Sequence, residues 1–177
     1  LVDYVKKALP KAKYVEASDL IDRIKVIKSA EELDFIRETA AQQVVSMQAI
    51  IDQLAPGMTD SDAAAIALYE GNKLGSEQGV YLCQSYEYGK PAAIGPRHLQ
   101  GRVIRDGDIF NMLVENNGAG GYFTEIGRTI VVGDAPAGAL EELEEELAFT
   151  LEAQRITLDM LKPGAPCAEV WHAFNTF

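Results

Sequence analysis

Histidine and cysteine are scarce: two of each occur in 177 residues. The cysteines, Cys83 and Cys167, stand far apart and belong to no Cys-x-x-Cys or Cys/His metal pattern. A disulfide framework is therefore not written into the chain, and both thiols read as small buried apolar residues in a reduced setting. No apolar run is long enough to cross a bilayer, and no signal-peptide pattern opens the chain. The expectation is a cytoplasmic protein with no membrane partner. Positive charge is also in short supply. Sixteen Lys and Arg against 27 Asp and Glu leave a net charge of −11, which disfavours nucleic-acid phosphates and anionic lipid as partners.

What is present suits a soluble globular domain. Apolar residues make up 47% and charged residues 24%, enough for one domain with a real core. Much of the acidity lies in Glu141-Glu142-Leu143-Glu144-Glu145-Glu146. Leucines recur there at helical spacing, so the run reads as the solvated face of a helix.

The most informative pattern is an internal repeat. Ile51-Asp52-Gln53-Leu54-Ala55-Pro56-Gly57 matches Leu158-Asp159-Met160-Leu161-Lys162-Pro163-Gly164, and Leu33, Ile36, Ala40 and Val44 match Leu140, Leu143, Leu147 and Leu151. A helix, a Pro-Gly turn and a second helix thus occur twice, with strand-like sequence after the first copy. A duplication of this size points to one pseudo-symmetric domain with a ligand site between its halves. The chain starts at Leu1, not Met, and reads as a fragment holding the first repeat (29–137) and the start of the second (138–177).

Residues 1–9 carry helical spacing and end at Pro10. Tyr14 to Ala17 reads as a short strand, and 18–28 as a connector. Residues 1–27 then form the tail of a preceding domain and its linker, with 28–177 the domain proper. Ser29 and Glu32 make a capping box. The helix after it is expected to bury Leu33, Ile36, Ala40, Val44, Met47, Ile51 and Leu54. Thr59 and Asp62 start the next helix, which runs to Gly71 or Gly75. Strands are expected at 79–85, 109–115 and 122–132, the last two joined as a hairpin through Asn116-Asn117-Gly118-Ala119-Gly120-Gly121. Between the first two lies a long Gly/Pro-rich segment, 86–101, of the kind that often carries function. Helices follow at about 139–162 and from about 166.

These pieces, in this order, resemble the aminopeptidase P/prolidase/creatinase family (M24). The resemblance rests on Ile27-Lys28-Ser29-Ala30-Glu31-Glu32, Leu54-Ala55-Pro56-Gly57-Met58-Thr59, Arg105-Asp106-Gly107-Asp108 and Gly121-Tyr122-Phe123-Thr124-Glu125-Ile126-Gly127-Arg128-Thr129. It implies an α+β, pita-bread fold, truncated here: an antiparallel hairpin sheet with long helices on one face. It also implies a C–N bond hydrolase for small peptide-like or amidino substrates and a homodimer.

Metal-dependent members carry two hairpin aspartates eleven positions apart. Counting back from Arg128-Thr129, Glu125 takes the second position and Val114 the first. Valine cannot bind a metal, so the resemblance implies an altered site in which the usual divalent pair (Mn, Co or Zn) is disfavoured. Glu115 is one place along, and a one-residue step on a strand turns a side chain to the other face. Creatinase works without metals, through a histidine before the first hairpin strand. His98 in Gly95-Pro96-Arg97-His98 matches that residue and suits proton transfer. Glu125 then holds a metal or a substrate cation. Arg128 has the forked donors to bind a carboxylate, and Tyr88 and Tyr122 could line a small-molecule pocket. Structural roles stand open beside each: an exposed loop histidine, an ion pair for Glu125 or Arg128, packing for the tyrosines. His172, beside Trp171, reads as a structural helix residue. The competing functional reading is a non-catalytic binding or dimerisation module.

Overall fold

The computed structural model describes residues 1–91, 94–95 and 100–177. In chain order these form α1 (Val2–Ala8), α2 (Ser18–Val26), α3 (Ala30–Gln53), α4 (Asp60–Lys73), β1 (Gly79–Glu87), β2 (Asp108–Asn117), a 3-10 turn (Ala119–Gly121), β3 (Phe123–Val131), α5 (Ala139–Met160) and α6 (Cys167–Thr176). The strands make one antiparallel sheet in the order β1-β2-β3.

The two long early helices start where their caps require. Ser29 Oγ accepts the Glu32 amide at 3.2 Å, and the Glu32 carboxylate accepts the Ser29 amide at 2.6 Å. Thr59 and Asp62 repeat the exchange at α4. Each box satisfies amides that a helix start leaves without partners. Between the helices Gly57 sits at φ +95°, where a side chain would be strained. Backbone hydrogen bonds at Gly57, Met58, Asp60 and Ser61 then strap this turn to residues 100–104.

Helices α3 and α4 cover one face of the sheet. The core between them holds Met47, Ile50, Ala63, Ala67, Tyr81, Cys83, Phe110, Met112 and Val114. Alanines on α4 let that helix lie close to the strands. Burial excludes water from the Cys83 thiol and pushes its pKa up to about 12, the behaviour of a structural cysteine. Cys167 is exposed, against expectation, because α6 buries none of its residues.

Three further expectations change. Residues 18–26 form a helix, not a connector: Leu20, Ile21 and Ile24 have helical spacing beneath the charge alternation. Residues 14–17 have no strand partner. The buried face of α3 is not the leucine-rich stripe. Thr39, Gln43, Ser46, Met47 and Ile50 are buried, whereas Leu33, Val44 and Ile51 are exposed. The reason lies in the sheet, which presents Asn116 and backbone carbonyls to α3, so the polar stripe of the helix faces them.

The repeat is visible in the elements. The last residues of α3 and α5 (Gln53, Met160), the first of α4 and α6 (Asp60, Cys167) and the turn glycines Gly57 and Gly164 each share the spacing found in the sequence. Both glycines have positive φ. The α5–α6 pair meets in part through Phe149 and Phe177, whose ring centroids are 4.9 Å apart.

Candidate functional site

Strand alternation gives the sheet two unlike faces. Tyr81, Cys83, Phe110, Met112 and Val114 point into the helix layer. The other face is half-open, and its strand register arranges it in rows. Val80, Glu115 and Glu125 form one row. Leu82, Leu113 and Gly127 form the next. Gln84, Asn111 and Thr129 form the third. Tyr86, Ile109 and Val131 close the series.

Glu115 and Glu125 are therefore directly opposed across β2 and β3. Glu115 is half-buried and Glu125 exposed. Val114, the position eleven residues before Glu125, does not share that face. Val114 is fully buried on the helix side, opposite Ile126. The one-residue step does change faces, but it is Glu115, not Val114, that shares a face with Glu125. The β2–β3 register is continuous from Ile109 to Asn117, so Glu115 faces Glu125 in regular strand geometry. Two rows away, Thr129 Oγ1 donates to Asn111 Oδ1 at 2.9 Å. Asn111 also bonds the Tyr86 phenol, whose pKa is nevertheless raised, chiefly by burial. A hairpin register, counted from the turn rather than from Arg128, would have exposed this arrangement in advance.

The other expected residues disperse. His98 lies outside the described residues. The Tyr122 hydroxyl donates to Glu32 on α3, and its ring stacks on Phe35 at 6.4 Å, so it braces the hairpin against the helix layer. The Tyr88 hydroxyl donates to Glu142 on α5, and that bond is the main cause of its raised pKa. Arg128 is paired in register with Met112, on the strand phase opposite to Glu125. Its guanidinium donates to Gly127 O at 2.6 Å. His172 lies exposed on α6. An open groove lined by Leu161, Lys162, Ala165, Cys167, Val170 and Trp171 belongs to the second helical pair, not to the site strands.

A polar network behind the sheet was not foreseen. Arg102 forks onto both oxygens of Asp108 and donates to Ser85 Oγ at 2.8 Å. Asp108 also accepts the Arg105 amide at 2.7 Å. Burial pushes the Asp108 carboxyl up, but Arg102 and Arg105 outweigh it and hold the pKa below the usual range. Asp60, at the start of α4, is fully buried and accepts the Ser85 amide at 3.0 Å. Its pKa is raised, first by burial, with Ser85 and Arg102 only partly offsetting it.

A divalent metal pair, as the resemblance implies, can be tested against these donors. Two opposed carboxylates fit a hard cation in kind. They fall short in number: among the described residues no three of His, Cys, Asp or Glu are placed to hold one ion. The described site is thus a two-carboxylate wall, suited to a cation but not by itself a metal centre. No helix among the described residues is long and apolar enough to cross a membrane.

Comparison with known proteins agrees with the geometry. The chain is 32% identical to an uncharacterized hydrolase/peptidase, y4tL, of Sinorhizobium fredii, over 96% of this chain and 43% of that protein. It is 25% identical to the Xaa-Pro dipeptidase of Pyrococcus horikoshii, over 96% of this chain and 46% of that one. The crystal structure of the prolidase from Pyrococcus horikoshii superposes with a TM-score of 0.78 at 23% identity, covering 99% of this chain and 49% of the other. The fold is therefore that of the pita-bread proteins, and the chain spans about half the length of these relatives. The model of metallopeptidase family M24 matches residues 34–177, and the chain belongs to that family.

Proposed function

We propose that the whole protein hydrolyses a C–N bond in a small peptide-like or amidino substrate, in the manner of Xaa-Pro peptidases or creatinase-type hydrolases. The observation that carries this reading is the opposed pair Glu115 and Glu125 on the half-open sheet face. Like charges directly opposite on neighbouring strands are destabilising, and a bound cation relieves that repulsion. The cation is a substrate ammonium or amidinium, or a metal completed by donors beyond those described. Family membership supports the reaction class, and the similarity to a protein named Xaa-Pro dipeptidase supports the substrate class.

In this reading the carboxylate pair binds and orients positive charge. His98 takes a proton from the attacking water and returns it to the leaving nitrogen. That is the task of a group titrating near neutrality. Tyr86 and Asn111 present polar groups to the same face. We also propose a cytoplasmic homodimer, on the strength of the family resemblance.

The shortage of donors in the described wall favours a second reading, a non-catalytic binding or dimerisation module that has shed its metals. Assay of the whole protein on Xaa-Pro dipeptides and on creatine, with and without chelator, separates the two. We expect hydrolysis that falls roughly 10²-fold or more in His98→Ala and comparably in Glu125→Gln. Activity untouched by either substitution would reject the assigned roles. A whole protein that hydrolyses neither substrate class would favour the binding module. Xaa-Pro hydrolysis abolished by chelator would make the cation a metal.

A further inference from the structure

Gln43 occupies an unusual position for a polar side chain. It lies at the middle of α3, 3% exposed, on the face turned to the sheet. A buried primary amide costs free energy unless its hydrogen bonds are made. Here they are made across the sheet. Gln43 Nε2 donates to Val114 O at 2.7 Å and to Thr124 O at 2.5 Å, with Asn116 Oδ1 at 3.3 Å. Three acceptors around one atom fix the amide's orientation, since Nε2 is the donor end.

The identity of the two carbonyls matters. Val114 O belongs to the peptide that leads into Glu115, and Thr124 O to the peptide that leads into Glu125. Each peptide plane sets the direction of the next Cα–Cβ bond. One side chain, from the helix behind the sheet, therefore ties the backbone on both strands just before the opposed carboxylates. The hairpin turn beyond them is seated on the same helix: a Cβ at Gly118 would lie 2.6 Å from Thr39 Oγ1 and 2.5 Å from Gln42 Oε1. The carboxylate row is thus held from α3 at its base and at its tip.

We propose that Gln43 is a positioning residue, which sets the spacing and direction of the Glu115–Glu125 pair without touching what the pair binds. The functional half of this inference rests on the proposed reading of that pair as the cation-binding wall, and the geometric half does not.

The test uses a covalent ruler in the whole protein. Glu115→Cys and Glu125→Cys are introduced together, with Cys167→Ser to remove the exposed thiol. The rate of disulfide closure under a fixed glutathione buffer then reports strand spacing. We expect Gln43→Met to slow closure about tenfold or more, because small misplacements have large rate effects. Met47→Ala, on the same buried face but bonded to neither strand, is the control for general destabilisation and should leave the rate within about twofold. An unchanged rate in Gln43→Met, or equal slowing in Met47→Ala, would overturn the proposal. In the protein with both glutamates intact, Gln43→Met should lower kcat on the hydrolysed substrate, whether or not KM also rises, whereas Met47→Ala should leave kcat within about twofold. If the ruler responds but kcat does not, the clamp is real and the catalytic reading of the pair fails.

Discussion

At the residue scale, two buried aspartates that share one arginine, Arg102, have their pKa values shifted in opposite directions. Asp108 has its fork to Arg102, and its pKa is lowered. Among the described residues the Asp60 carboxyl has only Ser85 as a hydrogen-bond partner, and its Oδ2 has none; its pKa is raised, first by burial. The linkage signs follow. Asp108 contributes stability above the ordinary carboxylate range and loses it as pH falls through its lowered value. Asp60 holds its proton in the fold after the unfolded chain has released its own, so it erodes stability as pH rises out of that range. Chemical denaturation between about pH 3 and pH 7 checks both. Relative to the parent, Asp60→Asn should gain stability as pH rises. Arg102→Met should cost about 2–3 kcal/mol at neutral pH, with the loss shrinking in acid. An Asp60→Asn difference that does not change with pH would reject the assignment. None of this was legible in the sequence. Asp60 reads there as one more acid in a capping region, and its partners Ser85, Arg102 and Asp108 become neighbours only when residues 57–61 are strapped to 100–104.

At the element scale the hairpin turn shows how closely α3 and the sheet are fitted. Gly118 has an ordinary negative φ, so its need for glycine is one of space. A methyl group there would press on Gln42 Oε1 and Thr39 Oγ1 and come within 3.1 Å of Thr39 Cα. The backbone atom cannot swing aside as a side chain can. Gly118→Ala should therefore cost about 1–3 kcal/mol, the usual range for overpacking, read as a lowered urea midpoint with an unchanged slope. A cost below about 0.5 kcal/mol, typical of an ordinary surface site, would show that the turn is free to lift off α3. The element boundaries themselves were largely legible. Both capping boxes, the Pro-Gly turns and the strand alternation are local signals, and they fall where expected. The facing of α3 was not, because periodicity offers two stripes on that helix. The one chosen by the sheet is the polar stripe, which answers unmet carbonyls rather than apolar surface. The carboxylate pair was hidden for a similar reason: Glu115 and Glu125 meet through strand register, which a count along the sequence does not show.

At the scale of the whole molecule, the stripe that α3 leaves uncovered has a twin. Leu33, Val44 and Ile51 on α3 are exposed, and so are their repeat mates on α5, Leu140, Leu151 and Leu158, together with Leu147 and Leu161. Leu147, Leu151 and Leu158 are each more than half exposed, at 56%, 53% and 59%. Four exposed leucines along one 22-residue helix, with Leu161 just past its end, exceed the scattered apolar residues that a monomer surface normally shows. Each leucine that finds a partner contributes roughly 1.5–3 kcal/mol, so two or three contacts outweigh the cost of association at micromolar concentrations. Residues 1–177 on their own should thus self-associate through these helices, with a weight-average mass by light scattering that rises with concentration. Leu147→Lys with Leu158→Lys should return the protein to a monomer while leaving its helical circular dichroism intact, since both residues point to solvent. A parent chain that stays monomeric across that concentration range would mean the two stripes are not adhesive. The repeat would then govern how each helical pair folds without governing what covers it.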